Sequence, residues 1–153
     1  MILERADARS YVDTLKKQGK TTVFTNGCFD ILHRGHIEYL TAARKLGDAL
    51  IIGLNSDSSV KKLKGERRPV NNENDRAYVL DALKAVDAVL IFGEDTAEKI
   101  IDFIKPDIYA KGGDYTLETL PEAKIVASYG GRTELLKFVE GYSTTGTIER
   151  MKQ

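Results

Sequence analysis

With a single cysteine, Cys28, the chain can form no intrachain disulfide, and a reducing compartment is the expected setting. No apolar run approaches the roughly 18 residues that suggest a membrane span. The first twenty residues, MILERADARSYVDTLKKQGK, mix both charge signs and lack the apolar stretch of a signal peptide, so a cytoplasmic location is expected. An excess of one charge sign is also missing. The 23 Lys and Arg balance 23 Asp and Glu, which excludes a global field that would recruit nucleic acid or an anionic membrane. Any anion site must therefore be local. Pro69, Pro106 and Pro121 stand apart, and no repeat, low-complexity tract or linker divides the chain. Neither common phosphate-loop pattern, GxGxxG or GxxxxGK[ST], occurs.

What is present is the composition of one α/β domain: 153 residues, 42% hydrophobic and 30% charged, enough for a single substantial core. Ala6, Tyr11, Val12 and Leu15 predict a helix within residues 1–20. Thr21–Thr25 reads as a buried strand, and Gly35–Leu46 as a helix with Ile37, Leu40, Ala43 and Leu46 on one face. Ala49–Leu54 is a continuous apolar strand of the kind buried on both sides of a parallel sheet. The polar stretch Asn55–Asn72 reads as a loop before a helix at about Asp75–Ala85. A strand at Val89–Phe92 and a helix at Ala97–Lys105, stopped by Pro106, come next. The remaining elements are a short strand at Ile108–Ala110, a helix near Glu122–Tyr129, a strand at Glu134–Val139 and a short helix from Ser143. This alternation predicts a single doubly wound, mostly parallel five-stranded Rossmann-like sheet. Ligands of such sheets bind beyond the carboxyl ends of the strands. That places four segments at the ligand edge: Asn26–His36, Asn55–Asn72, Lys111–Tyr115 and Glu140–Thr145.

The densest signal is TNGCFDILHRGH, Thr25–His36, a strand running through a loop into a helix. A helix N-terminus offers free N–H groups and a positive dipole end, which suit phosphate. His33 and His36, the only histidines, are three apart and project together at such a junction. A zinc site is the second reading, with carboxylates completing the shell. Cys28 reads as a packed loop residue. The Asn55–Arg76 stretch holds Lys61, Lys62, Lys64, Arg67, Arg68 and Arg76; about half of these read as solvated surface, while a lysine at the ligand edge suits a phosphate. In KGGDY, Lys111–Tyr115, paired glycines let a backbone approach a ligand, and Asp114 could bind a sugar hydroxyl or, through water, a metal; GGD is also an ordinary turn. Ser143, Thr144 and Thr145 open the last helix, and Ser143 serves equally as its N-cap.

GCFDILHRGH resembles the G-x-F-D-x-x-H-x-G-H signature of the cytidylyltransferase-like nucleotidyltransferases. The combination TNGCFDILHRGH, NSDSSVKKLKG, RPVN, KGGDY and EGYSTT, spread over about Thr21–Lys152, is similar to the D-glycero-D-manno-heptose 1-phosphate adenylyltransferases. The resemblance implies a nucleotidyltransferase domain over residues 21–153 that transfers AMP from ATP to a sugar phosphate and releases pyrophosphate. By the same resemblance His33, His36 and Lys64 are the catalytic candidates. It places Asn26, Gly27, Cys28, Phe29, Gly35, Lys61, Lys111, Gly112, Glu140, Tyr142, Ser143, Thr144 and Thr145 at the nucleotide. Asp30, Asn55, Asp57, Arg76 and Asp114 are then expected to bind the acceptor or organise the site. Lys64 is preferred to Lys61. Mg²⁺ is expected through the ATP phosphates, with no resident metal, and a homodimer is possible by resemblance alone. Phe138 and Val139 stand where the cytidylyltransferase motif R-T-E-G-x-S-T-T/S has Arg and Thr, which argues against CTP and a glycerol phosphate acceptor. A cytidylyltransferase of polyol phosphates and a nucleotide-binding module without turnover are the alternatives.

Overall fold

The computed structural model describes residues 1–138 and 140–153. Five parallel strands, β1 (Thr22–Gly27), β2 (Ala49–Asn55), β3 (Ala88–Phe92), β4 (Ile108–Gly112) and β5 (Arg132–Leu136), form one sheet in the order β3-β2-β1-β4-β5. The helices are α1 (Arg5–Lys17), α2 (Arg34–Arg44), α3 (Asp57–Lys64), α4 (Glu73–Asp81), α5 (Glu98–Ile104), α6 (Pro121–Ser128) and α7 (Thr144–Met151). The doubly wound α/β architecture matches the expectation from strand and helix alternation.

Alternation along the strands builds two cores. Phe24, Ile51, Leu90 and Tyr109 face α1, α5 and α6, while Val23, Leu50, Ile52 and Ile108 face α2 and α4. All seven residues of β2 are buried, as a strand covered on both faces must be. Ile100, Ile101 and Ile104 of α5 are fully buried and contribute about 1.5–3 kcal/mol each as an upper bound. At Gly53 of β2, a Cβ would come within 2.4 Å of Phe24 Cζ, so glycine is what lets that ring lie against the sheet. α1 shares this core through Ala8 and Val12, and Leu3 N–H donates to Val89 C=O at 2.8 Å beyond the sheet.

Several boundaries differ from the sequence reading; β1, for one, runs to Gly27 rather than Thr25, which puts Asn26 and Gly27 at a strand end instead of in the loop. The stretch taken as loop contains α3, which has little apolar periodicity and is made instead by its ends. Ser56 accepts from Ser59 N–H at 3.3 Å, Lys61, Lys62 and Lys64 occupy the last turn, and Gly65 at φ 101° stops it. α4 stops at Asp81 rather than Ala85, because Leu83 and Val86 close tight turns by bonding back to Leu80 and Leu83. β4 runs two residues further, so Lys111 and Gly112 pair with Leu135 and Leu136 instead of belonging to a loop. β5 spans Arg132–Leu136 rather than Glu134–Val139; the pairing of Ile108 with Arg132 starts it earlier, and Val139 lies outside the described residues. Ser143 precedes α7 as its N-cap.

Candidate active site

A cavity of about 640 Å³ opens at the carboxyl ends of the strands, centred on the loop from β1 to α2. Order 3-2-1-4-5 reverses direction beside β1, and the crevice at such a reversal is where these sheets take ligands. Tyr109 O–H donates to Asn26 Oδ1 at 2.7 Å and ties the ends of β4 and β1 together beneath it.

The loop carries its histidines at the mouth of α2. His33 is the extended N-cap residue, with φ −138° and ψ 174°. His36 Nδ1 accepts from the His33 backbone N–H at 3.3 Å. That bond leaves the proton of the neutral ring on Nε2, a donor for the cavity. The two imidazoles stack with centroids 3.9 Å apart at 23°; Tyr142 stacks on His33 at 6.0 Å and Phe29 tilts against His36 at 5.5 Å. Gly35 permits this assembly, since a Cβ there would lie 2.9 Å from Tyr142 Cβ and 3.0 Å from His33 Nδ1. Phe29 holds φ 44°, a left-handed conformation that costs a bulky residue about 1–3 kcal/mol and concentrates at functional sites. Burial, then the neighbouring His33 ring, pushes the His36 pKa down to about 4, and burial followed by Arg150 lowers that of His33. Both rings are therefore neutral donors near pH 7. His33 Nδ1 is buried against Gly35 at the start of α2, with no hydrogen-bond partner among the described residues.

Basic groups converge from the β2 side. Lys64 lines the cavity at the end of α3, whereas Lys61 is exposed and does not. Arg68, unrecognised as a site residue in the sequence, donates to Asp30 Oδ2 at 2.9 Å and reaches Thr145 Oγ1 at 3.5 Å. Asp30 also accepts from Val70 N–H at 2.8 Å and Asn71 N–H at 3.0 Å. Burial alone would raise its pKa, but those two amides and Arg68 together hold it below the ordinary value. Asp30 is thus a loop organiser. Arg76 is only 2% exposed and grips four partners at once. It donates to Cys28 C=O (2.7 Å), Asn55 C=O (2.8 Å), Asn71 C=O (2.9 Å) and Asp57 Oδ1 (2.8 Å). Arg76 and Asp57 lie outside the cavity wall and organise it, while Asn55 lines it and donates to Ser59 Oγ at 2.9 Å. Burial pushes the Cys28 thiol pKa up, against the nearby Lys64, so the thiol stays protonated.

The opposite wall comes from the end of β4, from Phe138 beyond β5 and from the start of α7. Lys111 and Gly112 line it, and Gly112 lies under Phe138, where a Cβ would sit 2.6 Å from that ring. Tyr142, Ser143, Thr144 and Thr145 line it too; Ser143 Oγ accepts from Gly146 N–H at 2.9 Å and Thr144 Oγ1 donates to Ile31 C=O at 2.9 Å. Asp114 and Glu140, expected at the site, are exposed and outside the lining: Asp114 follows Gly113, whose φ of 112° turns the chain away, and Glu140 precedes Gly141 at φ 83°. The sequence reading missed Tyr39, Arg68, Phe92, Thr96, Tyr115 and Glu122 as lining residues. Arg68 carried a signal in the basic stretch and Tyr115 in the KGGDY segment at the ligand edge, whereas the others read as core, turn or helix-start residues. Among the described residues, no three His, Cys, Asp or Glu side chains gather as a metal-binding group, so the zinc reading has no shell to rest on.

A parallel sheet with a stacked histidine pair at a helix N-terminus, flanked by Lys64 and Arg68, has the chemistry to take the phosphates of a nucleotide. The comparisons then give the family: the cytidylyltransferase-like model matches residues 24–149, and the chain belongs to that family. It is 52% identical over 147 residues to the bifunctional protein HldE of Syntrophotalea carbinolica, covering 96% of this chain and 30% of that protein. It is 56% identical over 140 residues to the bifunctional protein HldE of Pelobacter propionicus, covering 92% and 29% respectively. The chain thus spans about three-tenths of the length of these curated relatives. The crystal structure of the lipopolysaccharide core biosynthesis protein from Thermoplasma volcanium aligns with a TM-score of 0.66 at 31% identity, over 82% of this chain and 100% of that one. No helix of the described residues is long and apolar enough to cross a membrane.

Proposed function

We propose that the chain transfers AMP from ATP to D-glycero-D-manno-heptose 1-phosphate in the cytoplasm, giving ADP-heptose and pyrophosphate. The carrying observation is the His33–His36 stack at the start of α2, whose rings line the cavity, with the His36 Nε2–H free for a ligand. An acceptor phosphate is already anionic and needs no general base; the reaction needs alignment and charge neutralisation on the leaving pyrophosphate. An oxygen of the sugar phosphate attacks the α-phosphorus in line, forming the new P–O bond as the bond to the β-phosphate oxygen breaks. His33, His36, Lys64 and the α2 N-terminus meet the triphosphate oxygens, with Ser143 and Thr144 as hydroxyl donors from the other wall. Among the described residues no group of acidic or imidazole side chains gathers to hold a metal, so Mg²⁺ belongs with ATP as part of the substrate and is expected to bridge its phosphates.

Pyrophosphate release is the test, offering ATP or CTP against heptose 1-phosphate or glycerol 3-phosphate, with His36→Ala beside the parent. Turnover with ATP and the heptose phosphate, falling about 10²-fold or more in the variant, is expected. Turnover with CTP and glycerol phosphate would replace this reading by the cytidylyltransferase one, and ATP binding without any turnover would leave a binding module.

A further inference from the structure

Three acidic side chains line the cavity, and two are already engaged. Asp30 is held by Arg68 and two backbone amides, and exposed Asp95 meets Lys62 at 3.4 Å. Glu122, in the first turn of α6, is only 8% exposed and has neither hydrogen bond nor ion pair to any described residue. Its carboxylate oxygens are not sealed in the interior; they open onto the cavity, where a ligand can supply the partner that a mostly buried carboxylate lacks. A first-turn acid gains from the helix dipole, but that gain is available at an exposed position and does not require burial.

The placement says what the missing partner is. Lys64 and Arg68 follow β2, and Arg68 binds Asp30 of the β1–α2 loop, whereas Glu122 lies in the layer of α5 and α6; the third lining cation, Lys111 of β4, shares the Tyr109 face but lies over the Tyr115 ring at 5.1 Å. The buried, apolar Phe92 and Ala97 line the cavity from the same layer, which also holds Tyr109, the donor to Asn26. Polyphosphate is repelled from a carboxylate. Neutral hydroxyl groups are drawn to it, with an apolar wall beside it for their C–H faces. We propose that Glu122 binds hydroxyls of the acceptor sugar and is a specificity-determining residue for the acceptor; this rests on the adenylyltransferase reading above. A vicinal diol is also present on the ribose of ATP, and the kinetic arms separate the two sources.

The experiment is steady-state pyrophosphate release by the parent, Glu122→Gln and Glu122→Ala, varying heptose 1-phosphate at saturating ATP and then the reverse. Losing hydrogen bonds to a charged acceptor should raise the acceptor KM about 10-fold in the Gln variant and about 100-fold in the Ala variant. The KM for ATP should stay within about twofold. The Tm of the Gln variant should fall by no more than about 3 °C, because the change removes an unpaired charge as well as a dipole contact. The near-isosteric Gln variant carries the test if the Ala variant fails to fold. A rise in the ATP KM alone would assign the carboxylate to ribose and overturn the proposal, as would unchanged KM values for both substrates. A parent without turnover on heptose 1-phosphate would remove the adenylyltransferase reading itself, an outcome distinct from either of these.

Discussion

Arg76→Lys is the substitution that most directly tests how the cavity is held together. The guanidinium spans three carbonyls, from the β1–α2 loop, the end of β2 and the segment before α4, and adds the Asp57 carboxylate. An ammonium group cannot reproduce that planar fork and reaches one or two of the four partners. At least two buried acceptors then lose their donor, each costing about 1–3 kcal/mol, so the destabilisation is about 4 kcal/mol. For a chain of this size each kcal/mol shifts Tm by about 2–4 °C, so a fall of about 12 °C is expected in thermal unfolding followed by circular dichroism. Activity at a permissive temperature should fall as well, because Cys28 and Asn55 both border the cavity. Exposed Arg67→Lys is the control, with a change of less than about 0.5 kcal/mol. A Tm for Arg76→Lys within about 3 °C of the parent would refute the view that this side chain braces the site.

Two further outcomes follow from the geometry. Lys64→Ala should raise the KM for ATP about 10-fold or more, whereas Lys61→Ala, outside the cavity, should leave it nearly unchanged; equal effects would contradict the placement of α3. The histidine pair should make stability depend on pH. Folding lowers the His36 pKa from 6.5 to about 4, so the folded state binds the proton less readily than the unfolded chain. That contribution is fully present above pH 6.5 and is lost as pH falls toward 4, so His36→Gln should flatten the decline in Tm over this window; parallel curves for parent and variant would count against it.

Much of the site was legible because its chemistry is concentrated in short runs. Strand, loop and helix N-terminus follow one another in TNGCFDILHRGH, and the His33–His36 spacing already places both rings on one side of a helical turn. The strands showed themselves through apolar runs such as ALIIGL, which stays buried on both faces. α3 escaped because caps and a dipole-matched lysine turn make it, and these signals are easily read as loop chemistry. Asp114 and Glu140 were misplaced for a complementary reason: each belongs to a motif whose other residues reach the cavity, and a left-handed glycine beside each turns it outward. Arg68 and Glu122 depend on contacts between segments far apart in the chain, which no local pattern encodes. In the sequence, Glu122 is simply an acid behind a proline at a helix start.

α7 has no buried residue. Its named links to the rest of the fold are the Thr144 bond to Ile31, the Arg68–Thr145 contact and the stacking of neighbouring Tyr142 on His33. All three end in or beside the cavity wall, so the helix docks against the surface where the proposed nucleotide would lie. Docking and binding are therefore linked equilibria: a nucleotide touching both His33 and the Ser143–Thr145 segment adds its contacts to the closed arrangement, and a closed helix tightens the nucleotide by the same free energy.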